Sequence, residues 1–282
     1  MSSAWLHDLI DDAAIFPPGN VALDKAVAEH REHRASEYAD LLGCFVISDL
    51  KVADLIDVLD DADEEEPLAV NLVVTGGAGA IEPATRWLNR APTVSLRAIE
   101  FALRDEDDLA HNARRAITAW DLLEDDNPRA EVYIELPRLD GEPSYGWLAA
   151  MDEISARGLR AKFRTGGVEQ YAFPTCGELG DAISAALDRE LPFKCTAGLH
   201  HAVRHHDPAT DLTHHGFLNV LRATRAALDG DDPSEVLAEE SATVLLDGFD
   251  TDQAARTREW FTSFGSCSIL EPHEDLVELG LL

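Results

Sequence analysis

The segments LRAKFRTGG (159–167) and PFKCTAGLHH (192–201) each set a single lysine inside an apolar run. Lysine is otherwise scarce: of 23 basic residues only Lys25, Lys51, Lys162 and Lys194 are lysines. A lysine becomes a nucleophile when it loses its proton. Burial and a neighbouring cation both favour that loss, moving its pKa down from about 10.4. The neutral amine attacks a carbonyl to form a Schiff base, and the iminium then acts as an electron sink that lets a neighbouring C–C bond break or form. Lys162 and Lys194 are therefore candidates for nucleophile and tuning cation, with Glu135 or Glu100 as the carboxylate that moves protons. Arg164 and the amides of Gly166 and Gly167 form a candidate anion site beside them, and Thr196, Asn71, His200 and His201 complete the candidate substrate contacts. The structural alternative is that Lys162 and Arg164 only pair with Glu100 and Glu135 inside a stable core.

Such residues need elements that aim them at one point. Eight short apolar runs read as strands: 9–16, 41–48, 68–74, 96–103, 131–137, 159–165, 192–198 and 266–272. Helical spacing intervenes, with Ala26, Val27 and His30 on one side of one segment. Leu179, Ile183, Ala186 and Leu187 share a face in a second, and Leu218, Leu221 and Leu228 in a third. Eight strands, all but the last followed by a helical segment, predict one (β/α)8 barrel over residues 1–282, with an extra helix inserted near 229–250. A doubly wound open sheet is the competing architecture, but the first turn, FPPGN, lacks the GxGxxG spacing of that fold. Barrel enzymes work at the C-terminal ends of their strands, where Lys162, Arg164, Lys194, Thr196, Glu131, Tyr133 and Glu135 are predicted to point inward by alternation. On strand four Glu100 stands among apolar neighbours and is a further candidate to point in, and Asn71 is the polar residue of LAVNLVV on strand three. Asp11 and Asp12 lie on the first strand, within reach of the mouth or at the strand's beginning.

The pair AKFRTGG and FKCTAGL resembles the two lysine strands of class I aldolases of the deoxyribose-phosphate aldolase type, which carry Lys-Thr-Ser-Thr-Gly-Phe on strand six and Lys-Ala-Ser-Gly-Gly-Ile on strand seven. The resemblance spans some 40 residues of 282. It implies a barrel, a Schiff-base role for Lys162 and a tuning role for Lys194. Thr165 and Gly166 match on strand six, Thr196 stands for Ser, and Gly198 and Leu199 fit the end of strand seven. Phe163 and Arg164 depart from the Thr-Ser of that family, His200-His201 stands where it has Arg, and the Gly-Ser of FGSCS (264–268) falls at the start of the expected last strand.

Six of the 11 histidines lie in HHAVRHHDPATDLTHHG (200–216), directly after strand seven. Their chemistry allows metal binding, anion binding or proton transfer. A polar capping loop is the plainer reading, and no HExxH or HxH spacing is present. TGGAGA (75–80) is Gly-rich but lacks the ending of a phosphate loop. Two function classes compete with Schiff-base lyase or aldolase chemistry, which needs no cofactor. One is a metal-dependent hydrolase, isomerase or lyase holding one divalent ion through His200, His201 and Glu135. The other is a noncatalytic barrel that binds a small metabolite.

Composition narrows the partners. The formal charge is −31, with 54 acidic residues spread through runs such as DVLDDADEEEP, RDEDD, LEDDNP and LDGDDP. A carboxylate-covered surface repels nucleic acid and anionic membranes. High acid with little lysine points to a halophile's acidic proteome. The four cysteines form no CxxC pair, and three lie in apolar runs that suit buried thiols. The N-terminus shows no basic region followed by an apolar stretch, and no apolar run approaches a membrane span. The expectation is a soluble cytoplasmic enzyme acting on a small carbonyl or anionic substrate, alone or as a homo-oligomer.

Overall fold

Short β-branched and aromatic runs bounded by Gly, Pro and Asp form the strands, and amphipathic segments cover them. The computed structural model describes residues 4–60, 66–104 and 107–282. The acidic runs at 57–67 and 104–108 lie partly outside the described residues. Strands β1 (Ile10–Asp12), β2 (Leu42–Ser48), β3 (Leu68–Val74), β4 (Val94–Ala102), β5 (Glu131–Glu135), β6 (Arg160–Arg164) and β7 (Phe193–Thr196) follow in order. A small antiparallel hairpin, β8 (His205–Asp207) and β9 (Leu212–His214), precedes the final barrel strand β10 (Phe261–Ser266). The barrel closes in the order β1-β10-β7-β6-β5-β4-β3-β2, every pair parallel. This is the (β/α)8 barrel that the sequence predicts.

Helices α1 (Leu23–Arg34), α2 (Val52–Asp60), α3 (Ala78–Leu88), α4 (Leu109–Asp121), α5 (Tyr145–Ala156), α6 (Cys176–Leu187) and α7 (Phe217–Asp229) form most of the outer ring. Their apolar stripes meet the outward faces of the strands. Phe163 of β6 shows the arrangement: it stacks on Trp147 of α5 at 6.4 Å and meets Phe193 of β7 at 5.2 Å. With Ala161, Phe163, Phe193 and Cys195 filling this outer layer, alternation turns Lys162 and Lys194 toward the axis.

Three boundaries differ from expectation. The last strand lies at Phe261–Ser266, not 266–272. All of its residues but Thr262 are buried, with Phe261 and Phe264 the large apolar ones. Beyond it, Ile269, Pro272 and Leu276 are buried at helical spacing, and the segment forms α11 (Leu270–Glu278), with Pro272 in the first turn where its missing N–H costs no helical bond. The region near 229–250 forms two short helices, α8 (Pro233–Leu237) and α9 (Ala242–Leu246), rather than one, before α10 (Thr251–Thr257) leads into β10. The first strand is three residues long, because the chain turns away after Asp12.

The ends of β6 and β7 are locked together at the mouth. Thr165 Oγ1 donates to the carbonyl of Ala197 at 2.5 Å, and the Thr165 N–H donates to the carbonyl of Thr196 at 2.9 Å. Ala197 and Gly198 both adopt left-handed backbone, at φ 64° and 78°. A Cβ on Gly198 would also lie 3.2 Å from the Cα of Gly166. Gly198→Ala should therefore lower stability by about 1–2 kcal/mol, the cost of placing a side chain in that conformation. Urea denaturation checks this, and an unchanged midpoint would mean that the turn after β7 tolerates the added methyl.

Candidate functional site

Lys162 and Lys194 are register partners on adjacent strands, and both lie inside the barrel. Their side chains are 5% and 1% exposed, and that of Glu100 is 3%, so each charge needs a partner close by. The carboxylate of Glu100, reaching in from β4, supplies one to both. Its Oε2 accepts from Lys162 Nζ at 2.7 Å and its Oε1 from Lys194 Nζ at 2.6 Å. Glu135 Oε2 lies 3.0 Å from Lys162 Nζ, and its Oε1 accepts from Arg164 Nε at 3.1 Å. At the other end, Asp11 Oδ2 accepts from Lys194 Nζ at 2.5 Å and from Ser263 Oγ at 2.8 Å. Three cations and three carboxylates thus alternate across the barrel interior in the order Asp11, Lys194, Glu100, Lys162, Glu135, Arg164.

Neighbouring residues hold this chain in place. Gly43 leaves the space that Asp11 occupies, since a Cβ there would sit 2.4 Å from Asp11 Oδ1. That same oxygen accepts from the Cys44 N–H at 2.9 Å. The Tyr133 ring lies 5.2 Å from Lys194 Nζ, a cation–π contact on the remaining side of the ammonium.

Proton affinities follow from the pairing. Burial alone pushes Lys162 down, but Glu100 and Glu135 outweigh it, and its pKa stands above the ordinary lysine value. Lys194 is likewise opposed by burial and raised by Asp11 and Glu100. Burial pushes Glu100 up, yet the two lysines hold it at about 2. Glu135 is also lowered, by Lys162 and Arg164 against burial. The sequence reading expects a neighbouring cation to bring Lys162 toward neutrality. Lys194 does push it down, but two carboxylates in direct contact outweigh one ammonium, so both lysines rest protonated. The ion pairing of Lys162 and Arg164 with Glu100 and Glu135 is thus the resting arrangement.

The network opens on a pocket of about 310 Å³ at the C-terminal end of the strands. Glu100, Lys162, Arg164, Lys194, Thr196, Gly167 and His200 line it, as do Phe16, Pro17, Val46, Val73 and Cys267. Other expected contacts lie elsewhere. Asn71 is buried at the middle of β3, two residues before the pocket-lining Val73, and faces a separate cavity shared with Arg97, Arg160 and Arg258. Gly166 is packing rather than lining, because a Cβ there would lie 2.8 Å from the Phe173 ring. His201 points to α11, its Nδ1 3.2 Å from Asp275 Oδ2.

The histidine-rich segment is mostly structural. His205 and His214 pair across the β8–β9 hairpin with their rings stacked at 5.3 Å, and buried His215 bonds the Pro174 carbonyl. His200 is different. Its Nδ1 lies 2.7 Å from Glu271 Oε2 and its Nε2 3.5 Å from Cys267 Sγ. Among the described residues no three His, Cys, Asp or Glu side chains are grouped to hold a metal ion, so the structure does not assemble His200, His201 and Glu135 into the expected alternative metal site. Asp11, Glu271 and Cys267 are the residues missed in the candidate set. Asp11 is one of two adjacent carboxylates on the short first strand, and the sequence does not say which of the two reaches the lysines. Cys267 and Glu271 were hidden by the misplaced last strand.

No family model matches the chain, and no curated protein matches it in sequence. The structure is similar to deoxyribose phosphate aldolase from Aeropyrum pernix, a tetramer, with a TM-score of 0.55 over 99% of this chain and 93% of that one, at 12% identity. The catalytic domain of a chitinase from Pyrococcus furiosus aligns at a TM-score of 0.41 and 10% identity over 80% and 82% of the two chains, too distant to bear on the argument. At these identities the likeness shows the barrel fold. No helix among the described residues is long and apolar enough to cross a membrane.

Glu100→Gln should destabilise the protein by about 3–5 kcal/mol at neutral pH, because it leaves two buried ammonium groups short of a carboxylate. Urea denaturation measures this, and a loss below about 1 kcal/mol would mean that the network contributes little to the fold. In the intact protein the depressed Glu100 pKa gives stability that is fully present above the ordinary value of 4.5 and is lost as pH falls through about 2. The raised lysines act at the other limb, with stability full below 10.5 and lost as pH rises through their folded values. Both limbs should flatten in Glu100→Gln.

Proposed function

We propose that the protein is a class I aldolase-like lyase that forms a Schiff base between Lys162 and a small carbonyl substrate. The single observation that carries this reading is the juxtaposition of Lys162 and Lys194 as register partners at the base of the mouth pocket, with Glu100 shared between them. The aldolase-like barrel is consistent with it and adds the fold alone.

The resting state holds Lys162 as an ammonium, so reaction begins with a proton transfer. Glu135 and Glu100 both contact Lys162 Nζ and are the acceptors within reach. Lys194 stays protonated between Asp11 and Glu100 and opposes the carboxylates' hold on the Lys162 proton. The freed amine adds to the carbonyl carbon, and the carbinolamine oxygen leaves as water with a proton returned by the same carboxylate. The iminium then accepts the electron pair of the Cα–Cβ bond, while the β-hydroxyl passes its proton to that carboxylate and its carbon leaves as a carbonyl. Arg164, half exposed at the rim, suits a carboxylate or phosphate on the substrate.

Full pairing of both ammonium groups favours one competing reading, a barrel that binds a small anion without turning it over. Borohydride treatment with a panel of small aldehydes and ketones separates the two. The lyase reading expects a stable mass increment at Lys162 that is absent in Lys162→Arg. Because the Lys162 pKa is raised, imine formed before a fixed quench should increase with each pH unit above neutrality. Ligand retention with no increment at Lys162 at any pH would support the binding barrel and remove the lyase.

A further inference from the structure

The pocket carries a second group suited to covalent chemistry. Cys267 lies on the loop just past β10 and lines the same cavity as the two lysines. Its Sγ is 3.5 Å from Nε2 of His200, and the other nitrogen of that ring is 2.7 Å from Glu271 Oε2. A carboxylate at Nδ1 fixes the tautomer with Nδ1 as donor, which leaves Nε2 free to take a proton from the thiol. We propose that Cys267, His200 and Glu271 form a nucleophile, base and orienting carboxylate, and that Cys267 adds reversibly to aldehydes entering the pocket.

The step balances without a further reactant. The Cys267 S–H proton passes to His200 Nε2, and the thiolate pair forms the S–C bond to the carbonyl carbon. The carbonyl π pair moves to oxygen, which takes the proton back from the imidazolium to give a thiohemiacetal. Three observations set Cys267 apart. It faces the cavity, it has an imidazole partner, and that partner is itself held by a carboxylate. Burial pushes His200 down, but Cys267 and Glu271 outweigh it and raise the ring to about 9, which strengthens Nε2 as the acceptor of the thiol proton. The other cysteines are opposed by their surroundings: burial raises Cys44 to about 12 and also raises Cys176 and Cys195. The inference does not require imine formation at Lys162.

Iodoacetamide labelling at pH 6, read cysteine by cysteine by peptide mass spectrometry, tests the activation. Cys267 should react at least ~10-fold faster than glutathione under the same conditions, as expected of a thiol held beside an imidazole base. His200→Gln should bring it to the glutathione rate, and Glu271→Gln should slow it by a smaller factor. A wild-type rate at or below that of glutathione, or one unmoved by His200→Gln, overturns the assignment. Addition to aldehydes is read separately with propanal carrying 13C at its carbonyl carbon. A tetrahedral thiohemiacetal resonance should appear in wild type and in Lys162→Arg and vanish in Cys267→Ser. Its absence from both cysteine-bearing proteins overturns the addition, whereas failure of the Schiff-base reading alone would remove only the trigonal imine signal.

Discussion

One carboxylate, that of Glu100, stands between two buried ammonium groups, and the interior of the barrel is arranged around that contact. A lysine inside a barrel costs far more in lost hydration than any packing around it returns, unless an opposite charge is in contact. Two such lysines on adjacent strands would also repel each other. Glu100 answers both demands because its two oxygens point to different strands. Asp11 and Glu135 extend the alternation, so that three positive and three negative groups balance within the closed sheet. Features of the fold that look incidental serve this balance, among them the absent side chain at Gly43 and the short first strand that ends as Asp12 turns to His30.

The same contact sets the terms of any chemistry. Carboxylates that make Lys162 tolerable in the core also hold its proton. A nucleophilic role then requires that the proton be moved within the network rather than be absent beforehand. The groups in contact with Lys162 are the ones able to receive it, so stability and reactivity draw on the same atoms. Lys194, a neighbouring cation, weakens that hold on the Lys162 proton without overcoming it.

Much of this was legible in the sequence, for identifiable reasons. Strands with strict alternation, such as EVYIE, RAKFR and FKCT, declared both their existence and their inward faces, and the rarity of lysine singled out Lys162 and Lys194. Glu100 could be found because it is the acidic residue within its apolar run. Distances between strands could not be found, and the direction of the lysine shift depends on them: a neighbouring cation and a neighbouring carboxylate have opposite effects, and the sequence does not say which is nearer. Asn71 sat on the right strand but at the wrong height. The expected last strand is displaced because SCSIL has strand-like composition, while the strand itself, FTSFGS, is interrupted by small residues. That shift of a few residues hid the Cys267, His200 and Glu271 arrangement, because it placed Cys267 inside a strand rather than on the loop at the mouth.

With only four lysines in the chain, 15N labelling of lysine gives a side-chain spectrum simple enough to follow through a pH titration, with Lys162→Arg and Lys194→Arg supplying the assignments. Shared pairing through Glu100 predicts that Lys162 and Lys194 Nζ both titrate above the ordinary lysine value, and that both move down together in Glu100→Gln. Titration of either amine below the ordinary value in the unmodified protein, or movement of only one in the variant, would contradict the bridging of the two lysines on which the account rests.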